Sequence, residues 1–145
     1  MFGEEIIVTN RTLKLDPKKR IVIPAETKVE ANEKLFIMFN PLKEYLRIYG
    51  EQDFEKVLAS YEELFTKLRT ENKITSKEYR YYRRYLYATL CFPEETTDKQ
   101  HRITIPKSAL EHLKINSSIY AIGRENHLEL YKDEETYQSI LTKKK

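Results

Sequence analysis

The chain repeats itself. Asp16-Pro17-Lys18-Lys19-Arg20-Ile21-Val22-Ile23-Pro24 is matched by Asp98-Lys99-Gln100-His101-Arg102-Ile103-Thr104-Ile105-Pro106, 82 residues further on. Held without gaps, the same offset sets Ile37 on Ile119, Leu46 on Leu128, Ile48 on Leu130 and Tyr49 on Tyr131. Chance supplies one such block but rarely keeps its register this far, so the sequence reads as two copies of one module, at roughly 10–50 and 92–133.

Each copy has the same internal order. A short strand leads into Asp-x-x-x-Arg, which reads as a turn because an aspartate carboxylate can accept backbone N–H bonds. Ile-x-Ile-Pro then alternates as a strand and stops at proline, which has no N–H to give a ladder. A short helical stretch follows, clearest at Lys107–Leu113. A hairpin comes next: Lys34–Phe39 with Leu46–Tyr49, and Ser118–Ile122 with His127–Tyr131. Their turns fall at Asn40-Pro41 and at Gly123-Arg124-Glu125-Asn126.

A copy of about 40 residues is near the size below which chains seldom fold unaided. The lone Cys91 excludes an internal disulfide and any Cys-based zinc cluster. Each copy therefore needs the other, and the expectation is one shared core in a pseudo-twofold pair of interlocked hairpins.

Two helices are predicted between the copies. Phe54, Val57, Leu58, Tyr61, Leu64, Phe65 and Leu68 trace one apolar face at i, i+3, i+4, i+7 spacing. The second helix opens at Thr75 with Glu78 three residues on, a capping box, and continues through Tyr79, Tyr82, Leu86 and Leu90. A last helix is expected over Glu134–Leu141, with the Lys143–Lys145 tail at its negative end. The division is thus 1–50, first module; 51–91, helical connector; 92–145, second module with its C-terminal helix. The fold class is α+β, a pseudo-twofold interlocked β-barrel with helices between and after the repeats.

Charge is distributed unevenly although its total is only +3. Arg11, Lys14, Lys18, Lys19 and Arg20 face one acid, Asp16, and Lys73, Lys77, Arg80, Arg83 and Arg84 face Glu78. Acids gather at Glu51, Asp53, Glu55, Glu62 and Glu63 and at Asp133, Glu134 and Glu135. Separate basic and acidic faces are a footprint for a polyanion, or simply solvated surface. No apolar run is long enough to span a membrane, and the opening residues lack the order of a signal peptide, so the expected compartment is the cytoplasm.

The paired Asp-x-x-x-Arg turns carry the chemistry. An arginine there can pair with its own aspartate, or offer its planar fork to a phosphate or a guanine edge. Two such turns related by a pseudo-twofold axis would place Arg20 and Arg102 on one face, as a duplex requires of a symmetric reader. Other chemistries find little support. His101, His112 and His127 fall in different elements without metal-ligand spacing, and no cofactor is implied. The glycines Gly3, Gly50 and Gly123 make no phosphate-binding loop. Cys91, between Leu90 and Phe92, reads as a structural thiol. The tyrosines between Tyr79 and Tyr87 can stack on bases or pack on a neighbouring helix. No nucleophile or acid–base pair converges, so an enzyme is not expected.

These residues resemble a known family. Asp98–Pro106 resembles the turn and strand of the AbrB-like swapped-hairpin fold, and two tandem copies joined by two helices resemble the MraZ family of bacterial transcriptional regulators. Met1-Phe2-Gly3-Glu4, Arg83-Arg84-Tyr85-Leu86 and Ile122-Gly123 with Asn126–Leu130 are similar to that family too. The resemblance implies a cytoplasmic, nucleoid-associated repressor that binds short repeated double-stranded DNA sites upstream of cell-division and cell-wall genes and assembles into rings. It places DNA contacts at Arg20 and Arg102, with Lys18, Lys19 and Lys99 beside them; the charge argument adds Lys14 and Arg11. Asp16 and Asp98 would hold the turns. The family usually has glycine before the arginine, where this chain has Lys19 and His101. Either these residues take a positive φ at a cost of roughly 1 kcal/mol, or the turn differs. The alternative is a ring scaffold of the same fold without specific DNA binding.

Overall fold

The computed structural model describes residues 7–39, 43–87 and 91–143. Its elements run β1 (Ile7–Lys14), β2 (Arg20–Val22), a 3-10 turn (Ala25–Thr27), β3 (Lys34–Phe39), β4 (Tyr45–Gly50), α1 (Glu51–Thr70), α2 (Ser76–Tyr85), β5 (Glu95–Thr96), β6 (Arg102–Thr104), α3 (Lys107–Leu113), β7 (Ser118–Arg124), β8 (Leu128–Tyr131) and α4 (Glu134–Lys143). The fold is α+β and its ladders are antiparallel. The expected turn at Asn40-Pro41, the helix position Leu90, the opening Met1–Glu4 and the tail residues Lys144 and Lys145 lie outside the described residues.

One sheet has the order β1-β7-β8-β4-β3-β5, and β2 pairs with β6 in a separate two-stranded ladder. Among the described residues these are two open sheets and not a closed barrel. The order is palindromic under exchange of the copies. The leading strand β1 of copy one pairs with β7 of copy two, while β5 of copy two pairs with β3 of copy one. Each hairpin thus takes its neighbour strand from the other copy. The pseudo-twofold axis passes through two cross-strand pairs in which a residue meets its own counterpart, Ile21 with Ile103 and Arg47 with Glu129.

The ungapped register fails in one place. Leu15 N–H bonds the Ser117 carbonyl and Thr97 N–H bonds the Glu33 carbonyl, so β3 and β7 are offset by 84 residues while β4 and β8 keep 82. Ile37 therefore corresponds to Ala121, not to Ile119. The physical reason is local. Copy two forms the seven-residue helix α3 where copy one has a three-residue 3-10 turn. The extra length is returned at the hairpin end, where Phe39–Leu46 closes one ladder and Gly123–Leu128 the other. The second hairpin turn is also tighter than expected: β7 runs through Arg124, whose N–H bonds the His127 carbonyl, which leaves Glu125 and Asn126 as the turn.

The inward residues of both copies form one core. Ile21, Ile37, Leu46, Ile103, Ile105, Ile119 and Leu130 are all essentially inaccessible. Their alternation along β4 and β8 turns Tyr45, Arg47 and Tyr49, with Glu129 and Tyr131, to the other face. There α1 covers one half through Phe54, stacked on Phe36 at 4.7 Å. The other half is covered by α4 through Tyr137, which sits 5.0 Å from the Tyr131 ring. Beyond Phe54 and Leu86 the two connector helices pack mainly on one another, with Phe65 against Tyr82 and Arg83 paired to Glu62. The capping box is formed: Glu78 N–H donates to Thr75 Oγ1 and Thr75 N–H donates to Glu78. No helix among the described residues is long and apolar enough to cross a membrane.

Candidate nucleic-acid interface

The two turns are built alike. Asp16 Oδ1 accepts the N–H of Lys18 (2.9 Å) and of Arg20 (2.8 Å), while Oδ2 accepts Arg20 Nε–H at 2.8 Å. Asp98 does the same for Gln100 (2.9 Å), Arg102 (2.9 Å) and Arg102 Nε–H (2.7 Å). Each turn closes when the third residue after Asp donates back: Lys19 N–H to the Asp16 carbonyl and His101 N–H to that of Asp98. Both of those residues hold positive φ, 64° at Lys19 and 61° at His101. The turn with a left-handed residue is thus kept without glycine.

Burial alone would raise the Asp16 carboxyl, but the bonds from Arg20 and Lys18 outweigh it and hold the group below the ordinary carboxylate value. At Asp98 the Arg102 N–H is the leading cause of the same lowering. Both aspartates therefore stay ionised and keep their arginines clamped.

Each turn is also tied to the other copy. Ile23 N–H bonds the His101 carbonyl and Ile105 N–H bonds the Lys19 carbonyl, both at 2.8 Å. Arg20 Nη1 lies 4.0 Å from Asp98 Oδ2, so the two turns touch across the axis. Alternation then decides what faces outward. Ile21 and Ile103 point into the core, so Arg20, Val22, Arg102 and Thr104 share the opposite face of the β2–β6 ribbon. Each arginine uses Nε on its aspartate, which leaves the tip of the guanidinium on a partly exposed surface.

Of the other expected residues, Lys18, Lys19 and Lys99 are exposed on the turns themselves, and Lys14 is exposed at the end of β1. Arg11 is exposed but ion-paired with Glu26, and it borders a groove with Gln100 and His101. Cys91 is half-buried, and burial pushes its thiol up. Among the described residues no group of three His, Cys, Asp or Glu side chains could hold a metal ion.

Sequence reasoning missed a second polar cluster, on the outer face of the large sheet at the axis. Glu129 is 5% exposed and accepts from Tyr131 Oη (2.7 Å) and Arg124 Nε (3.0 Å), with His127 Nε2 at 2.7 Å. Burial would raise its carboxyl, yet these partners bring it down to about 2. Opposite it, Arg47 donates to Tyr45 Oη (2.8 Å) and Tyr49 Oη (3.3 Å). The available signal was the repeat itself, because the 82-residue offset sets Arg47 on Glu129.

Twin basic turns, clamped by aspartates and brought together on one ribbon, have the geometry of a binding module. Comparison with known proteins gives that module a family. Residues 6–75 and 93–145 match the family model of the MraZ protein. The transcriptional regulator MraZ of Halothermothrix orenii (strain H 168) is 31% identical over 138 residues, covering 87% of each chain. That of Thermoanaerobacter sp. (strain X514) is 30% identical over 83% of this chain and 76% of its own. That of Mesomycoplasma hyopneumoniae (strain 7448) is 30% identical over 89% and 80%. The chain belongs to the MraZ family. These relatives are named as transcriptional regulators and not as enzymes.

Proposed function

We propose that this protein is a sequence-specific, double-stranded-DNA-binding transcriptional regulator, and that the β2–β6 ribbon is its reading element. The observation that carries this is the pairing of the two Asp-clamped arginines, Arg20 and Arg102, on the exposed face of a two-stranded ribbon. The major groove of B-DNA admits such a ribbon, and arginine there can bond guanine O6 and N7. Val22, 54% exposed and opposite Arg102 in the ribbon, suits the methyl group of a thymine. Lys18, Lys19, Lys99, Lys14 and Arg11 are placed to meet phosphates, with Asp16 and Asp98 as positioning residues.

The finer reading follows the resemblance. The two modules, 1–50 and 92–145 around the connector 51–91, are the halves of an AbrB-like swapped-hairpin unit. The protein acts in the cytoplasm, on the nucleoid, as a repressor at repeated sites upstream of cell-division and cell-wall genes. One ribbon makes few contacts, so a ring of copies engaging several repeats gains by avidity. The scaffold alternative drew on the missing glycines; because Lys19 and His101 keep the positive φ, no observation now favours it.

The test is binding to DNA upstream of the protein's own gene against scrambled DNA of equal length, at ~50 and ~200 mM salt. Selective binding that weakens steeply with salt supports the reading. Equal weak binding to both, or none, overturns it.

A further inference from the structure

The second basic segment has no role in the ribbon. On the connector, Arg80, Arg83, Arg84 and Tyr87 border one open groove. The residues around it divide by task. Tyr82 faces inward against Phe65, and Glu78 is consumed by the capping box. Glu62 binds Arg83 and accepts from Tyr87 Oη. Arg80 and Arg84 are exposed, and among the described residues neither has a hydrogen-bond or ion-pair partner. They stand at i, i+4 on one helix, where like charges repel. The negative end of the helix dipole accounts for Arg83 and Arg84 near the C-terminus of α2. It does not account for Arg80, nor for Tyr81 and Tyr87, which are 59% and 46% exposed.

We propose that this face of α2 is a second phosphate-contact surface for duplex DNA, apart from the β2–β6 ribbon. Four residues of helix advance about 6 Å, and long guanidinium side chains at that spacing can reach neighbouring phosphates of one strand. Bound phosphates would relieve the repulsion between Arg80 and Arg84, and Tyr87 lines the same groove. Contacts of this kind add affinity and carry no sequence information. The surface rests on the reading of the protein as a DNA binder.

The experiment measures fluorescence anisotropy of the full-length protein with the upstream duplex and with its scrambled counterpart, across a salt series, for wild type, R80A/R84A, R80K/R84K and R20A/R102A. Light scattering and thermal melting are followed in parallel. R80A/R84A is expected to weaken binding to both duplexes by the same factor and to lower the slope of log K against log salt by up to ~2. Selectivity, melting and assembly size stay as in wild type, and R80K/R84K restores the slope. Unchanged affinity and slope in R80A/R84A, with selectivity lost in R20A/R102A, overturns this surface and leaves the ribbon standing. A changed assembly size in R80A/R84A also overturns it, because the face then joins copies of the chain. If wild type shows no salt-sensitive binding to either duplex, the DNA reading itself fails and the surface fails with it.

Discussion

Arg47 and Glu129 stand opposite one another on β4 and β8, and each is the other's counterpart in the repeat. In a unit made from two identical chains, a residue on the twofold axis would meet itself, and like charges directly opposite are destabilising. A tandem duplication removes that constraint. One copy carries a cation held by two tyrosine hydroxyls, and the other carries a carboxylate held by Tyr131, Arg124 and His127. The axis therefore favours copy one against copy two over either copy against its like.

That asymmetry can be tested by reversing one charge. Arg47→Glu would set two carboxylates together on a half-buried face and strip the Tyr45 and Tyr49 hydroxyls of their donor. Breaking a buried charge network typically costs about 3–5 kcal/mol. Because Arg47 is only partly buried, a loss of about 2–3 kcal/mol is expected, read as a lower urea midpoint with an unchanged slope.

Acid should unfold the protein through the same cluster. The folded Glu129 carboxyl sits at about 2, against an ordinary value of 4.5. A lowered carboxylate contributes stability that is fully present above the unfolded value and lost as pH falls through the folded one. The window is therefore from about pH 4.5 down to about 2, with at most about 3 kcal/mol from this group. Asp16 and Asp98, also lowered, add to the loss in the same direction. Urea unfolding at pH 6 and at pH 3 is expected to show the drop, and Glu129→Gln should show a smaller one between the same two points.

A close approach limits β7. A Cβ on Gly123 would come within 2.6 Å of Thr9 Cγ2 and 3.3 Å of Val8 Cγ2, at the irregularity where β1 meets β7. Gly123→Ala is expected to cost about 1–3 kcal/mol, by overpacking. Gly123→Ala combined with Thr9→Ser removes the nearer methyl, and recovery of most of the thermal midpoint would locate the cost at that contact.

Much of this was legible in the sequence, for identifiable reasons. Asp-x-x-x-Arg-Ile-x-Ile-Pro encodes its turn and strand locally, so the turns in which Asp16 holds Arg20 and Asp98 holds Arg102 are readable from the sequence. Thr75 with Glu78 marked the start of α2 for the same reason. The register of β3 on β7 was not legible. It depends on whether the residues after Ile-x-Ile-Pro wind into a 3-10 turn or a full helix, and the two copies differ there. The Glu129 cluster was also hidden, because Arg124, His127 and Tyr131 converge only once the β7–β8 turn and the strand alternation bring them to one face. Whether Lys19 and His101 keep the turn could not be read from residue type, since the two cross-copy hydrogen bonds to their carbonyls hold the left-handed conformation.

Those bonds predict how the positive-φ positions tolerate change. His101→Gly keeps the conformation without strain and should leave stability within about 1 kcal/mol of wild type. His101→Val places a β-branched side chain at φ near 61°, and a cost of about 1–3 kcal/mol is expected. If the turn aims Arg102, the valine variant also loses DNA selectivity at temperatures where it remains folded, while the glycine variant keeps it.

The sharpest test of the ribbon separates aim from charge. Asp16→Ala with Asp98→Ala removes two negative charges from the proposed binding face, so a purely electrostatic surface would bind any duplex more tightly. The same change removes three hydrogen bonds per turn, among them the Nε–H clamps at 2.8 and 2.7 Å that set the direction of Arg20 and Arg102. Bidentate base contacts need that direction, and each is worth about 1–3 kcal/mol of discrimination. The expected outcome is stronger or equal binding to scrambled DNA with weaker binding to the upstream site, so that selectivity collapses while total affinity survives. Anisotropy titrations on both duplexes at one salt concentration measure this, with circular dichroism confirming the fold. Preserved selectivity would mean that the aspartates only shape the turn and that their Nε–H clamps do not set the discriminating contacts.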